Sequence, residues 1–94
     1  MEESFAELDK VVRLLEINPD LRIELSAHTD DQGSDKYNDL LSRKRGEAAR
    51  TYLLRHGVRP DRVTATGYGK RKPLVPNDSD ENRAINRRVE FKVL

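Results

Sequence analysis

Residues 27–45 read AHTDDQGSDKYNDLLSRKR, a polar loop running into a helix. Two of its charges are placed to do chemistry. Stepping by threes and fours from Leu41 along the helix reaches Arg45 before Ala48 and Ala49, so a guanidinium takes a position where a hydrophobe is expected. A guanidinium at the border of a core costs free energy unless an anion meets it, and arginine does not discharge as lysine does. Asp30 is the candidate anion. Gly33 gives the intervening loop a pivot, and Asn38 lies two turns before Arg45 on the same helix face. Two arrangements satisfy these residues. Asp30 and Arg45 pair with each other and fasten the loop to the helix, or they are held apart to receive a zwitterion. In the second case the carboxylate takes an ammonium and the guanidinium grips a carboxylate through two parallel hydrogen bonds. An α-amino acid headgroup carries that charge pair.

Other chemistries fit the sequence less well. His28 and Asp30 share a face on an extended chain, but two ligands fall short of the three or four of a zinc site, and His56 belongs to the far end of the second helix. His28 is therefore expected to be a hydrogen-bonded structural residue, with no metal and no cofactor. The run DDQGSD lacks the spacing and closing glutamate of a calcium loop. Neither Ser26 nor Ser42 has an adjacent base with its own orienting carboxylate, and cysteine is absent, so catalysis is not expected. The basic cluster GKRKP at residues 69–73 has no interleaved aromatics, and a net charge of +1 supplies no global field toward nucleic acid or anionic lipid. It reads as a solvated loop.

The elements that must position Asp30 and Arg45 follow from periodicity. At 94 residues the chain is expected to form one domain over residues 1–94, with a thin core drawn from 35% apolar residues, including two Phe and no Trp. Residues 3–17 carry Phe5, Leu8, Val12 and Leu15 at helical spacing, and Asn18-Pro19 stops the run. LRIELSA at 21–27, RVTATGY at 62–68 and RVEFKVL at 88–94 each alternate apolar and polar residues, as half-buried strands do. A second helix is expected from about Asn38 to His56, closed by Gly57, with Leu41, Ala48, Ala49, Tyr52 and Leu53 as its apolar stripe. Between the last two strands lies a long loop. Strands with one polar face imply a two-layer α/β sandwich with helices on one side of the sheet. No apolar run is long enough to cross a membrane, so no direct insertion by this domain is expected.

HTDDQGSDKYNDLLSRKR together with GYGKRKPLVPNDSDENRAINRRVEFKV resembles the peptidoglycan-binding domain of OmpA-like proteins. The resemblance covers nearly the whole chain. It joins a His-Thr-Asp loop, Gly33, a Tyr-Asn-x-x-Leu-Ser-x-x-Arg run, a Gly-x-Gly and an Asn-Arg-Arg-Val-Glu segment. It implies an OmpA-like mixed sheet in which Asp30 and Arg45 hold the amino and carboxylate groups of diaminopimelate in a peptidoglycan stem peptide. Thr29, Asn38 and Leu41 would contact the peptide backbone and the aliphatic part of the ligand. One of Arg83, Arg87 and Arg88 would brace the Asp30 loop, and Arg87 is counted in the ligand-binding set. The implied role is non-covalent anchoring of a larger envelope protein or the outer membrane to the cell wall, in the periplasm, with room for a homodimer. The alternative is the same fold serving assembly or dimerisation, its Asp30–Arg45 pair closed. Three departures accompany the match. The family's opening strand has no counterpart before Phe5, leaving one sheet edge bare or covered by another chain. The usual glycine before the loop histidine is Ala27, and the usual alanine after the helical arginine is Gly46.

Overall fold

The computed structural model describes residues 5–94, without the Phe5 side chain. Residues 3 and 4 of the expected first helix, and the place of Phe5 in its stripe, lie outside what is described. The elements are α1 (Phe5–Ile17), β1 (Ile23–Ala27), α2 (Asp35–Arg55), a 3-10 turn at Pro60–Arg62, β2 (Val63–Gly67), α3 (Asp80–Asn86) and β3 (Val89–Val93). The sheet order is β2-β1-β3, with β1 parallel to β2 and antiparallel to β3. The sheet is thus mixed, as the resemblance implies.

Alternation in β1 sends Ile23 and Leu25 into a core with Leu8, Val11, Val12 and Leu15 of α1, Ala49 and Leu53 of α2, and Val58 and Val63. Glu24 points the other way, where its carboxylate accepts hydrogen bonds from Thr66 Oγ1 (2.9 Å) and the Tyr68 hydroxyl (3.2 Å). One face of the sheet is therefore packed under helices and the other is a polar ladder. Asn18 ends α1, and its exposed last carbonyls are met by Arg62. That side chain donates to Leu15 O (2.9 Å) in the last turn of the helix and to Asn18 O (2.6 Å) and Leu21 O (3.0 Å) in the segment that follows, tying the exit of α1 to the start of β2. No helix among the described residues is long and apolar enough to cross a membrane.

Three expectations need correction. First, α2 begins at Asp35, one turn earlier than expected, because the Ser34 hydroxyl accepts from the Tyr37 amide and caps it. Second, its buried face is Asn38, Ser42, Gly46, Ala49 and Leu53, while Leu41 and Tyr52 are only half-buried and Ala48 is exposed. The stripe is rotated because α2 presses its smallest residues onto β1 and β2. A Cβ on Gly67 would sit 2.5 Å from the Arg43 amide nitrogen, so the strand needs glycine where the helix crosses it. Arg45 therefore flanks the buried stripe instead of interrupting it. Third, the long loop contains α3, capped by the Ser79 hydroxyl accepting from the Asn82 amide.

β3 also departs from its pattern. Val89, Phe91 and Val93 alternate as a core face should, yet Phe91 is 45% and Val93 51% exposed. β3 forms one edge of the sheet, and between it and α1 lies a groove of about 320 Å3 lined by Leu8, Val11, Leu25, Val89 and Phe91, with Glu7 at its side.

Candidate functional site

β1 ends at Ala27 and delivers the His-Thr-Asp segment to the end of the sheet, where the backbone is pinned from two sides. The Thr29 amide donates to Gly69 O (2.9 Å), and His28 exchanges backbone bonds with Arg88. The Gly69 amide in turn donates to Ser42 Oγ (2.9 Å), which ties the Gly-Tyr-Gly segment to α2. Thr29 is buried, with its hydroxyl donating to Asp30 O (3.0 Å).

Asp30 is 7% exposed. Its Oδ1 accepts from the Gln32 amide (2.9 Å) in an Asx turn, and its Oδ2 accepts from Arg87 Nη1 (2.7 Å). Burial pushes the carboxyl up. The Gln32 amide, the Arg87 hydrogen bond and the charges of Arg87 and Arg83 outweigh it, and the group rests below the ordinary aspartate value. It is ionised at neutral pH. Asn38, also buried, donates from Nδ2 to Gln32 O (2.8 Å), so α2 holds the far side of the same turn.

Among the described residues Arg45 makes no hydrogen bond and no ion pair, and it is half-buried on the flank of α2. The direct Asp30–Arg45 pairing is thus not formed: Arg87 takes the place that Arg45 would have filled. The closed pair of the assembly alternative falls with it. Asn38, Leu41 and Arg45 follow one another along α2, Asn38 reaching the Asp30 loop and Leu41 half-buried between the two.

Of the three candidate bracing arginines, Arg87 meets Asp30. Arg83 meets the neighbouring Asp31 (Nε to Oδ1, 3.2 Å), and Arg88 turns to Glu90 (3.2 Å) and Lys72 O (3.2 Å). Arg83 and Arg87 lie four residues apart at the end of α3, so this unforeseen helix presents both cations to one loop. Asn86 is the structural residue that sequence reasoning missed. Fully buried, it accepts from the Leu74 (2.8 Å) and Val75 (3.1 Å) amides and donates to Val75 O (2.9 Å) and Asn77 Oδ1 (2.8 Å), so it folds the 70–79 loop. The readable signal was the Ser79 cap followed by Asp80 and Glu81 in the first turn.

His28 differs from expectation. It is 3% exposed and stacked on Tyr68 at 5.3 Å, but neither ring nitrogen has a hydrogen-bond partner; Nε2 lies 3.6 Å from Glu90 Oε1. Burial, then the charge of Arg88, pushes its pKa below the ordinary histidine value against the pull of Glu90. It is a packed neutral ring. Among the described residues no group of three or more His, Cys, Asp or Glu could hold a metal ion.

The chain is similar to known proteins over nearly its whole length. The chain is 40% identical over 93 residues to outer membrane porin F of Pseudomonas aeruginosa, covering 98% of this chain and 27% of that protein. It is 37% identical over 86 residues to peptidoglycan-binding protein ArfA of Mycobacterium tuberculosis, covering 92% of this chain and 26% of that protein. The chain thus spans less than a third of the curated relatives it matches first. The crystal structure of the peptidoglycan-associated lipoprotein from Burkholderia pseudomallei superposes with a TM-score of 0.89 at 31% identity, over 95% of this chain and 75% of that one. With the OmpA family pattern matching residues 2–87, from α1 through the arginine that braces Asp30, the chain belongs to the OmpA family.

Proposed function

We propose that this chain is a non-catalytic module that binds peptidoglycan, gripping the diaminopimelate of a stem peptide between Asp30 and Arg45. The observation that carries the reading is the unequal commitment of the two charges. Asp30 is ionised and rigidly held by Gln32 and Arg87, while Arg45 is half-buried and meets no anion among the described residues. A guanidinium left in that state by the fold is satisfied by a carboxylate from outside. The Asp30 carboxylate has lone pairs beyond the two in use, enough to accept an ammonium. Thr29 and Asn38 fix the turn that presents it, and Leu41 offers apolar surface to the aliphatic part of the ligand. The printed names of ArfA and of the peptidoglycan-associated lipoprotein point to the same polymer.

Such a module tethers a longer envelope protein to the cell wall from the periplasmic side. Few contacts per ligand make each grip modest, and the repetition of the stem peptide along one polymer supplies avidity. The test is isothermal titration and NMR shift mapping with meso-diaminopimelate and a muramyl tripeptide containing it. Saturable binding is expected, lost in Asp30→Ala and Arg45→Ala alike. A folded wild type that takes up neither ligand refutes the proposal.

A further inference from the structure

His28 stands directly behind Asp30, in a cluster that the peptidoglycan reading leaves unused. Among the described residues neither nitrogen of this buried ring, nor the buried Nε of Arg88 beside it, has a hydrogen-bond partner. A phenylalanine stacked on Tyr68 would fill the same space without an idle donor and acceptor, so packing alone does not account for an imidazole here. The carboxylate that meets the ring is shared. Arg88 Nη2 lies 3.2 Å from Glu90 Oε1, and His28 Nε2 lies 3.6 Å from the same oxygen. The other groups facing the ring are Lys72, whose Nζ is 4.4 Å from the centre of the Tyr68 ring, and Tyr68 itself, whose hydroxyl donates to Glu24. A neutral ring leaves Glu90 to Arg88. A protonated ring would place three cations, His28, Arg88 and Lys72, around Glu90 and compete for the oxygen that Arg88 uses.

Both neighbours of the ring are wired to the Asp30 loop. Arg88 exchanges main-chain bonds with His28 (2.8 and 3.3 Å), and the residue before it, Arg87, holds Asp30 Oδ2. The Tyr68 amide donates to Ala27 O (2.9 Å), and the residue after it, Gly69, accepts from the Thr29 amide (2.9 Å). Moving Arg88 or Tyr68 off the ring therefore disturbs the segments that fix the carboxylate. We propose that His28 is the proton-sensing element of the ligand site, and that its protonation releases the stem peptide in acid. On taking up a proton the ring draws Glu90 from Arg88, the entry to β3 that carries Arg87 shifts, and Asp30 is no longer presented. The proposal rests on the reading of Asp30 and Arg45 as the diaminopimelate clamp. His28 is a positioning residue in it, acting through Arg88 and Arg87 without touching the ligand. Burial and the Arg88 charge keep the ring neutral at neutral pH, so the switch works below 6.5. Asp30, lowered from 3.8 by its amide and arginine partners, stays ionised until more acid conditions, which separates the two titrations. By linkage, a ligand that prefers the neutral ring makes that ring harder to protonate.

Two measurements test this, with circular dichroism confirming the fold at each pH. The first is calorimetric titration with meso-diaminopimelate from about pH 7 to about pH 4.5, an interval in which its α-carboxyl and α-amino groups stay charged. Wild-type affinity should fall by about tenfold or more across it, while the His28→Gln curve runs flat. Should His28→Gln fail to fold, His28→Phe keeps a stacked ring without the titration and should run flat as well. The second is NMR over the same interval. In the ligand-free protein the Gln32 amide, which donates to Asp30, should follow the titration of the His28 ring, and saturation with ligand should move that titration to lower pH. Binding that stays constant in acid, or that wild type and variant lose in parallel, overturns the proposal and leaves the clamp standing. So does a Gln32 amide indifferent to the His28 titration. No binding near neutrality removes the clamp itself, and the switch with it.

Discussion

Replacing Arg87 by alanine isolates the element that holds the site together. The wild-type pair is a 2.7 Å charge-assisted hydrogen bond between a carboxylate that is 10% exposed and a guanidinium that is 33% exposed. Hydrogen bonds to charged groups contribute about 1.5–3 kcal/mol, and breaking a fully buried pair costs about 3–5 kcal/mol. Partial exposure of Arg87 admits water and screening, which places this loss nearer about 2 kcal/mol at neutral pH. The Gln32 amide still serves Oδ1, so the turn loosens without losing every partner. The pH dependence gives the reasoning its sign. Asp30 sits below its ordinary value of 3.8 in the folded protein, so its contribution is fully present above that value and disappears as pH falls through the lower folded one. Urea denaturation of wild type and Arg87→Ala should therefore differ by about 2 kcal/mol near neutrality and converge in acid. A double-mutant cycle with Asp30→Asn should assign most of the difference to the pair. A difference that persists unchanged in acid, or a coupling below about 0.5 kcal/mol, would show that Arg87 acts by packing and not by charge.

Arg45→Ala, by contrast, should leave stability within about 0.5 kcal/mol, since no described residue depends on that guanidinium, while removing ligand uptake; chemical denaturation beside titration separates the two. Gly46→Ala should stabilise by up to about 1 kcal/mol and raise the melting temperature, because the added Cβ would meet Ala65 Cβ at 3.5 Å and Ala27 Cβ at 3.6 Å, ordinary contacts, while helix propensity improves. Gly67→Ala should do the opposite, by about 1–3 kcal/mol in a thermal melt, since its Cβ would lie 2.6 Å from Ser42 Oγ and 2.8 Å from Arg43 Cα and must push α2 off the sheet. The buried neutral ring of His28 should make stability fall as pH drops below 6.5 toward its lower folded value, because the unfolded chain takes up the proton first. His28→Gln should flatten that slope in denaturation midpoints measured across the interval.

The legible parts of this chain were those where burial and hydropathy coincide. The β1 and β2 alternations and the α1 stripe at Leu8, Val12 and Leu15 survive in the structure because each apolar residue there meets the core. The strands' core faces are less uniform. Phe91 and Val93 have the right period and no cover, since period reports which face a residue shares and not whether anything lies over it. α3 escaped detection for the complementary reason. Its seven residues DENRAIN carry only Ala84 and Ile85 as apolar side chains, with Ile85 46% exposed, and it is held by the Ser79 cap and the hydrogen bonds of Asn86. Hydropathy does not see an element fastened by amides.

The face of α2 shows why the site itself was half visible. Its buried residues are Asn38, Ser42, Gly46, Ala49 and Leu53, so most of the surface pressed onto the sheet is polar or small. A reader following hydrophobes draws the stripe through Leu41 and Tyr52 and finds Arg45 standing in it as a violation. The violation disappears in the structure: close helix–sheet contact at Gly46 and Gly67 rotates the stripe and leaves Arg45 on its flank. The partner of Asp30 could not be chosen from spacing, because Arg87 lies 57 residues away in sequence and arrives on a helix that periodicity misses. Once Arg87 neutralises Asp30, Arg45 has no partner to serve among the described residues. A fold that needed Arg45 for its own stability would have spent the charge internally; this one braces its carboxylate with a separate arginine and leaves the second cation able to receive an anion.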